Sequence, residues 1–79
     1  MKIELGLYAS LSDYLPSGNT GHRSVVEIDE GISIQELLSI LKIPRDNPKI
    51  MFLNGIHATG NEVIKDGDRV AVFPPIAGG

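Results

Sequence analysis

Ile3, Leu5 and Leu7 alternate with Lys2, Glu4 and Gly6 in the opening stretch "KIELGLY". A period of two puts the apolar side chains on one face and predicts a half-buried strand. The period then changes. In "ASLSDYL", Leu11, Tyr14 and Leu15 fall at helical spacing and predict a short helix over about 9–15, packed on the sheet. Ser10 with Asp13 three residues later reads as its N-terminal cap, and Pro16 as its stop. "SGNTG", Ser17 to Gly21, is a polar loop. "HRSVVEID", His22 to Asp29, returns to alternation as a second strand, with Val26 and Ile28 inward and Val25 on the less buried face. The dozen or so residues between the two strands make a wide antiparallel connection carrying its own helical turn.

The main helix is written in "GISIQELLSILKI", where Ile34, Leu37, Leu38 and Leu41 form one apolar stripe at i, i+3, i+4 and i+7. Ser33 and Glu36 spell a capping box, and Ile32 with Leu37 a hydrophobic staple, so the helix is expected over about 33–42, ending before Pro44. "PRDNP" is a loop, and "KIMFLNG" a strand turning at Asn54-Gly55, with "IHA" as a short return strand. "TGNEVIKDGD" is irregular, with a turn at Asp66-Gly67. "RVAVF", Arg69 to Phe73, is nearly continuous in apolar residues and predicts a central strand covered on both sides, or at least near its end. One main helix crossing one mixed sheet of four to five strands is an α+β roll. With strands one and two antiparallel and the last strand beside the first, the arrangement is a β-grasp, or ubiquitin-like, fold.

At 79 residues the chain makes one domain. A domain this small buries only roughly 60–65% of the surface its unfolded chain exposes, so chemistry is expected at a surface, a terminus or inside a partner. The predicted division is a β-grasp domain over 1–73 and an extended, flexible C-terminal tail over 74–79. A net charge of −3 with no cluster of Lys and Arg argues against nucleic-acid binding. The absence of cysteine excludes disulfides, Cys-ligated metal and a Cys nucleophile. His22 and His57 are too few for a typical structural zinc site, and no metal is expected. No apolar run approaches a membrane span and Met1-Lys2 leads directly into a strand, so the expected location is cytoplasmic, with no membrane partner.

Ordinary catalytic motifs are missing. No "GxSxG" holds a Ser–His–Asp set, and "GNTG" and "NGIHATGN" lack the Lys-Ser/Thr of a phosphate loop. His57 suits a partner contact, but a surface or half-buried strand histidine is the plainer reading. Glu4, Glu27 and Asp29 suit a shared sheet face, and such charges are usually just solvated. The tail "VFPPIAGG" is different. Phe73 closes an apolar strand; Pro74 and Pro75 fix φ and favour an extended path away from it. Ile76 and Ala77 offer apolar contact, while Gly78 and Gly79 lack a Cβ and let another backbone approach closely. The tail reads as a probe whose tip carries a carboxylate. A carboxylate reacts as an acyl group only once activated, for instance as an acyl-adenylate, and a thin tip can enter a partner's channel where water is excluded.

"DGDRVAVFPPIAGG" resembles the C-terminus of the MoaD/ThiS family of ubiquitin-like sulfur carriers, most closely its MoaD branch. "FLNG" and the element order match as well, so the resemblance covers essentially the whole chain. ThiS proteins are usually shorter, lack the helical segment after the first strand and less often carry Phe-Pro-Pro. The resemblance implies that Gly79 is adenylated by a ubiquitin-activating-like adenylyltransferase (MoaB/MoeB/ThiF type), which itself binds the ATP and magnesium. Sulfur from a sulfurtransferase then replaces an oxygen to give a thiocarboxylate. It also implies that Phe73, Pro74, Pro75, Ile76, Ala77 and Gly78 dock into partners, including a molybdopterin synthase large subunit (MoaE type). The chain would then be a sulfur-donor co-substrate in molybdenum cofactor biosynthesis, the non-catalytic small subunit of a synthase, binding no cofactor itself. The alternatives are a carrier for thiamine, tungsten-pterin or another pathway, or a protein modifier joined through Gly79. An RNA-binding β-grasp module of the TGS type shares the "NG…DGD-V" ending but carries no terminal Gly-Gly.

Overall fold

The computed structural model describes residues 1–15, 22–44 and 49–75. The polar loop at Ser17–Gly21, Pro16 as a helix stop, most of the "PRDNP" loop, and Ile76, Ala77, Gly78 and Gly79 lie outside the described residues. Five strands form one mixed sheet: β1 (Lys2–Leu7), β2 (Arg23–Glu27), β3 (Ile50–Leu53), β4 (Ile56–Ala58) and β5 (Arg69–Phe73), in the order β2-β1-β5-β3-β4. β1 and β2 are antiparallel, β1 and β5 run parallel at the centre, and β3 pairs antiparallel with both β5 and β4. This is the β-grasp arrangement expected from the element order.

One face of the sheet carries the core. Ile3, Leu5 and Leu7 of β1, Met51 of β3 and Val70 and Val72 of β5 are buried together with Ile34, Leu37 and Leu38 of helix α1 (Ile34–Ile40). The alternation in β1 therefore predicted its inward face correctly. In β2, Val26 is half-buried, whereas Val25 on the opposite face is 70% exposed. β5 is the central strand expected, but its core cover is one-sided. Its burial alternates, with Val70 and Val72 buried and Ala71 and Phe73 half-buried, because only one face meets the helix and core. The apolar residues on its other face belong to a second, open surface.

α1 starts as its sequence predicts. Ser33 Oγ accepts from Glu36 N–H at 3.2 Å, and Glu36 Oε1 accepts from Ser33 N–H at 2.9 Å, a reciprocal capping box. Its end is sharper than the expected 33–42 span. Lys42 adopts φ +67°, Ile43 N–H donates to Leu38 C=O and Lys42 N–H to Ser39 C=O, both at 3.0 Å. This is a Schellman closure, with buried Ile43 placed against Leu38 as that motif favours. Backbone geometry, with Lys in the position glycine usually takes, ends the helix before Pro44 is reached. Leu41 consequently sits half-buried at the cap instead of in the stripe's centre.

The predicted short helix exists as a 3-10 helix, η1 (Ala9–Tyr14), with Leu11 buried and Tyr14 half-buried. Its predicted cap does not form. Tyr8 occupies the N-cap without a side-chain bond, and Ser12 Oγ instead donates to Ala9 C=O at 2.9 Å. The chain enters the helix through Ala9 at φ +53°, leaving Ser10 inside the element and not ahead of it.

Two short motifs hold the sheet's far end. Asn54 and Gly55 take φ +53° and +82°, the pair of positive values a two-residue hairpin needs. In "DGD", Asp66 Oδ1 accepts from Lys2 N–H at 2.8 Å, and Gly67 N–H donates to Lys2 C=O at 2.8 Å, fastening this turn to β1. Asp68 accepts from Asn54 Nδ2 at 3.0 Å and from Lys65 N–H at 2.8 Å, while Asn54 Oδ1 accepts from Arg69 N–H at 2.9 Å. "NG" and "DGD" are thus partners across the sheet. The Asn54 side-chain bond first, and then the Lys65 N–H, hold the Asp68 carboxyl below its usual range. A carboxyl depressed on folding stabilises the fold above its unfolded value, about 3.9 for Asp, and that contribution is lost as pH falls through the folded value. Asp68→Asn is therefore expected to be less stable than wild type at pH 7, with the gap narrowing below about pH 4. Urea unfolding of both proteins across pH 2–7 would measure the gap; a constant difference would exclude ionisation as its source.

Candidate functional site

The core leaves the opposite face of the sheet open, and an aromatic strip crosses it. Tyr8, just past β1, stacks on Phe73 at the end of β5, with ring centroids 4.4 Å apart and planes 8° from parallel. Phe52 of β3 meets Phe73 edge-on at 5.8 Å, and His57 of β4 meets Phe52 edge-on at 5.7 Å. His22 tilts against Tyr8 as well, at 5.5 Å. Register explains the strip. Phe52 lies opposite both His57 and Ala71, while the alternate residues Met51, Ala58 and Val72 point into the core.

Gly6 makes room for this packing. A Cβ there would lie 2.9 Å from Tyr8 Cε2 and Oη, so a side chain would push the ring off its place above β1. Beside the strip is a shallow hollow of about 310 Å³, lined by Glu4, Tyr8, Arg23, Phe52, Arg69 and Phe73 among others. Arg23 reaches over it, donating from Nε to Tyr8 Oη at 3.4 Å and pairing with Glu4 at 3.6 Å. Tyr8 first, and Glu4 next, push the exposed guanidinium further toward its charged form. The hollow is open, more apolar than polar and edged by two arginines. It suits a protein surface better than a small molecule, which is usually gripped on most sides.

The tail begins on this face. Phe73, the first of the predicted docking residues, is part of the strip; Pro74 is half-buried, Pro75 is exposed, and both lie outside any helix or strand. The structure thus sets Phe73 on the open face, while Ile76 to Gly79 are beyond the described residues. His57, considered as a partner contact, is exposed and flanks Phe52. Glu4 and Glu27 do share the open face, but Glu4 there meets Arg23 and lies opposite Arg69, so no carboxylate cluster forms. Among the described residues, no group of three or more His, Asp or Glu converges on a metal position.

Sequence reading missed Tyr8, Phe52 and Gly6. The signal was present as parity: Gly6 and Tyr8, Phe52, and Ala71 and Phe73 all occupy the strand positions opposite the core. Aromatic side chains at outward positions of a sheet with one helix-covered face mark a surface meant for contact.

The model of the ThiS family matches residues 16–79, from before β2 through the tail. The chain belongs to the ThiS family. Its members are small ubiquitin-like sulfur carriers and modifiers, generally non-catalytic themselves. No curated protein sequence matches the chain. Among solved structures it is similar to SAMP1 from Haloferax volcanii, 23% identical over 100% of both chains, with a TM-score of 0.72. It is also similar to a chain of the complex of subunits 1 and 2 of molybdopterin-converting factor from Helicobacter pylori, 20% identical over 100% of both chains, with a TM-score of 0.61. The ubiquitin of Caldiarchaeum subterraneum is 17% identical over 100% of this chain and 98% of that one, with a TM-score of 0.56. These likenesses establish the ubiquitin-like β-grasp of this ThiS-family chain. No helix among its described residues is long and apolar enough to cross a membrane.

Proposed function

We propose that this ThiS-family chain is a sulfur carrier whose Gly79 carboxylate is activated and converted to a thiocarboxylate, and that the sulfur is donated in molybdopterin biosynthesis. The observation that carries the reading is the continuity of tail and surface. Phe73 is at once the last strand residue, the centre of the aromatic strip and the start of "FPPIAGG". A partner that grips the open face is thereby positioned to receive the tail. The subunit-1-and-2 complex among the structural relatives supports a synthase partner of the large-subunit type.

In the proposed chemistry a Gly79 carboxylate oxygen attacks the α-phosphorus of ATP, with magnesium, in an adenylating partner, and pyrophosphate leaves. Sulfide, released from a sulfurtransferase's persulfide by a thiol reductant that is oxidised to a disulfide, then adds to the acyl carbon, and AMP leaves. This chain contributes the acyl group, the thin tip and the docking face; the activating groups belong to the partner. Chain-dependent ATP–pyrophosphate exchange by the activating enzyme would test the first step, and no exchange would refute it.

Docking has its own test. Phe73→Ala removes the ring that both Tyr8 and Phe52 pack against, and Gly6→Ala displaces Tyr8. Each is expected to weaken the complex with the activating enzyme by about 10–100-fold, the range of an interface hot spot. Both proteins should remain folded, since the affected rings lie outside the core cluster. Calorimetric titration would measure the loss, and unchanged affinity would show that partners do not use this face.

The likeness to the SAMP1 fold gives one further reading a specific footing, in which Gly79 is joined to lysines of other proteins. Lysine adducts that vanish on removing Gly79 would favour it over sulfur donation.

A further inference from the structure

β2 is an outer strand of the sheet, and its free side has an ordered pattern. Leu7 N–H donates to His22 C=O, while Met1 and Ile28 exchange bonds in both directions. An antiparallel ladder alternates bonded and non-bonded pairs, so His22, Ser24, Val26 and Ile28 turn their backbone groups toward β1. The backbone N–H and C=O of Arg23, Val25 and Glu27 therefore point off the edge. Among the described residues nothing bonds to them. The same three side chains are exposed on the open face, and Val25 is the most exposed strand valine, at 70%.

Charged residues on an edge usually deter other chains. Here their signs are arranged about a centre: Arg23 and Glu27 stand two residues to either side of Val25. We propose that β2 is a self-association edge, on which a second copy of this chain pairs antiparallel with Val25 opposite Val25 across a two-fold axis. That register joins each outward-pointing backbone group to a partner. It sets Arg23 of each copy opposite Glu27 of the other and buries the two valines between these pairs. A one-residue shift would set outward backbone groups against inward ones, and a two-residue shift would take Arg23 and Glu27 off one another and separate the two valines. The axis is normal to the sheet, so the two helices lie on one side and the two aromatic strips, still uncovered, on the other. This association shares Arg23 with the docking face proposed above but leaves the aromatic strip of that face accessible.

One five-residue edge contributes far less area than the about 1,200–2,000 Å² of a stable interface, so the dimer is weak and reversible. Sedimentation equilibrium of the full chain is expected to show a monomer at about 10 μM and a mass rising toward the dimer by about 1 mM. Arg23→Glu and Glu27→Arg each set like charges opposite one another, and each variant alone is expected to stay monomeric over that range. Mixed in equal amounts they should associate at least as tightly as wild type, because every pair across the axis is then opposite in sign. Val25→Lys, which alters only an exposed side chain, is likewise expected to be monomeric and stands in should either charge variant fail to fold. A wild type that stays monomeric at 1 mM would overturn the proposal. So would variants that associate like wild type, or folded charge variants that fail to pair when mixed.

Discussion

Removing Gly79 is expected to cut acyl-adenylate formation by at least about 100-fold while leaving the melting temperature unchanged. Deletion still leaves a C-terminal carboxylate, on Gly78, but draws it back by about 3.3–3.6 Å, one extended residue. In-line attack on a bound nucleotide tolerates no such retreat, since misplacement by even 1 Å can cost about 100-fold. Deleting Gly78 as well leaves Ala77 at the end, where a Cβ enters a channel proposed to fit bare backbone, and activity should vanish. Stability is another matter. Among the described residues, the core draws its side chains from Ile3 through Val72. Exchange assays and thermal melts on the same preparations would separate the two effects. A large fall in melting temperature would mean the tail is packed against the domain, against its role as a free probe.

Leu38→Ala is expected to destabilise the fold by about 2–5 kcal/mol. Small domains hold only about 5–15 kcal/mol in total, so this one change could consume much of the reserve. Leu38 is 4% exposed, faces the sheet in the core cluster, and its carbonyl accepts the Ile43 N–H that closes the helix. Truncation both opens a cavity and loosens the side-chain packing of that closure. Leu41→Ala, although equivalent in the apolar stripe, should cost only roughly 1 kcal/mol, because Leu41 is half-buried at the cap. Urea unfolding of the two variants would show the contrast. Equal losses would mean that the helix continues past its Schellman closure and carries Leu41 into the core.

That contrast shows what the sequence disclosed and where it stopped. Period-two and period-3.6 patterns reflect burial, so β1, β2 and α1 were legible, as was the capping box, whose two residues act on each other locally. Lys42 in a left-handed turn was not legible, because only tertiary packing of Ile43 on the core selects that geometry over another turn of helix. The Ser10–Asp13 cap misled for a similar reason: with Ala9 at positive φ the helix starts there, and the N-cap falls on Tyr8, two residues before Ser10. β5 misled differently. Four apolar residues in a row suggested cover on both faces, whereas Ala71 and Phe73 form part of an open face that needs Tyr8 and Phe52 to complete it. Those rings come from three separate strand regions, and only register brings them together. The tail is read from residue type and order alone, Phe-Pro-Pro followed by Gly-Gly, and its chemistry stands as the proposal made above.

The central claim is that Gly79 is the reacting group. Its most direct test is the intact mass of the full chain after incubation with its activating enzyme, ATP, magnesium and a sulfur source, followed by fragmentation to place any change. The account predicts a mass rise equal to one oxygen replaced by sulfur, located at Gly79 and dependent on ATP. An unchanged mass, or sulfur located anywhere else in the chain, would contradict it.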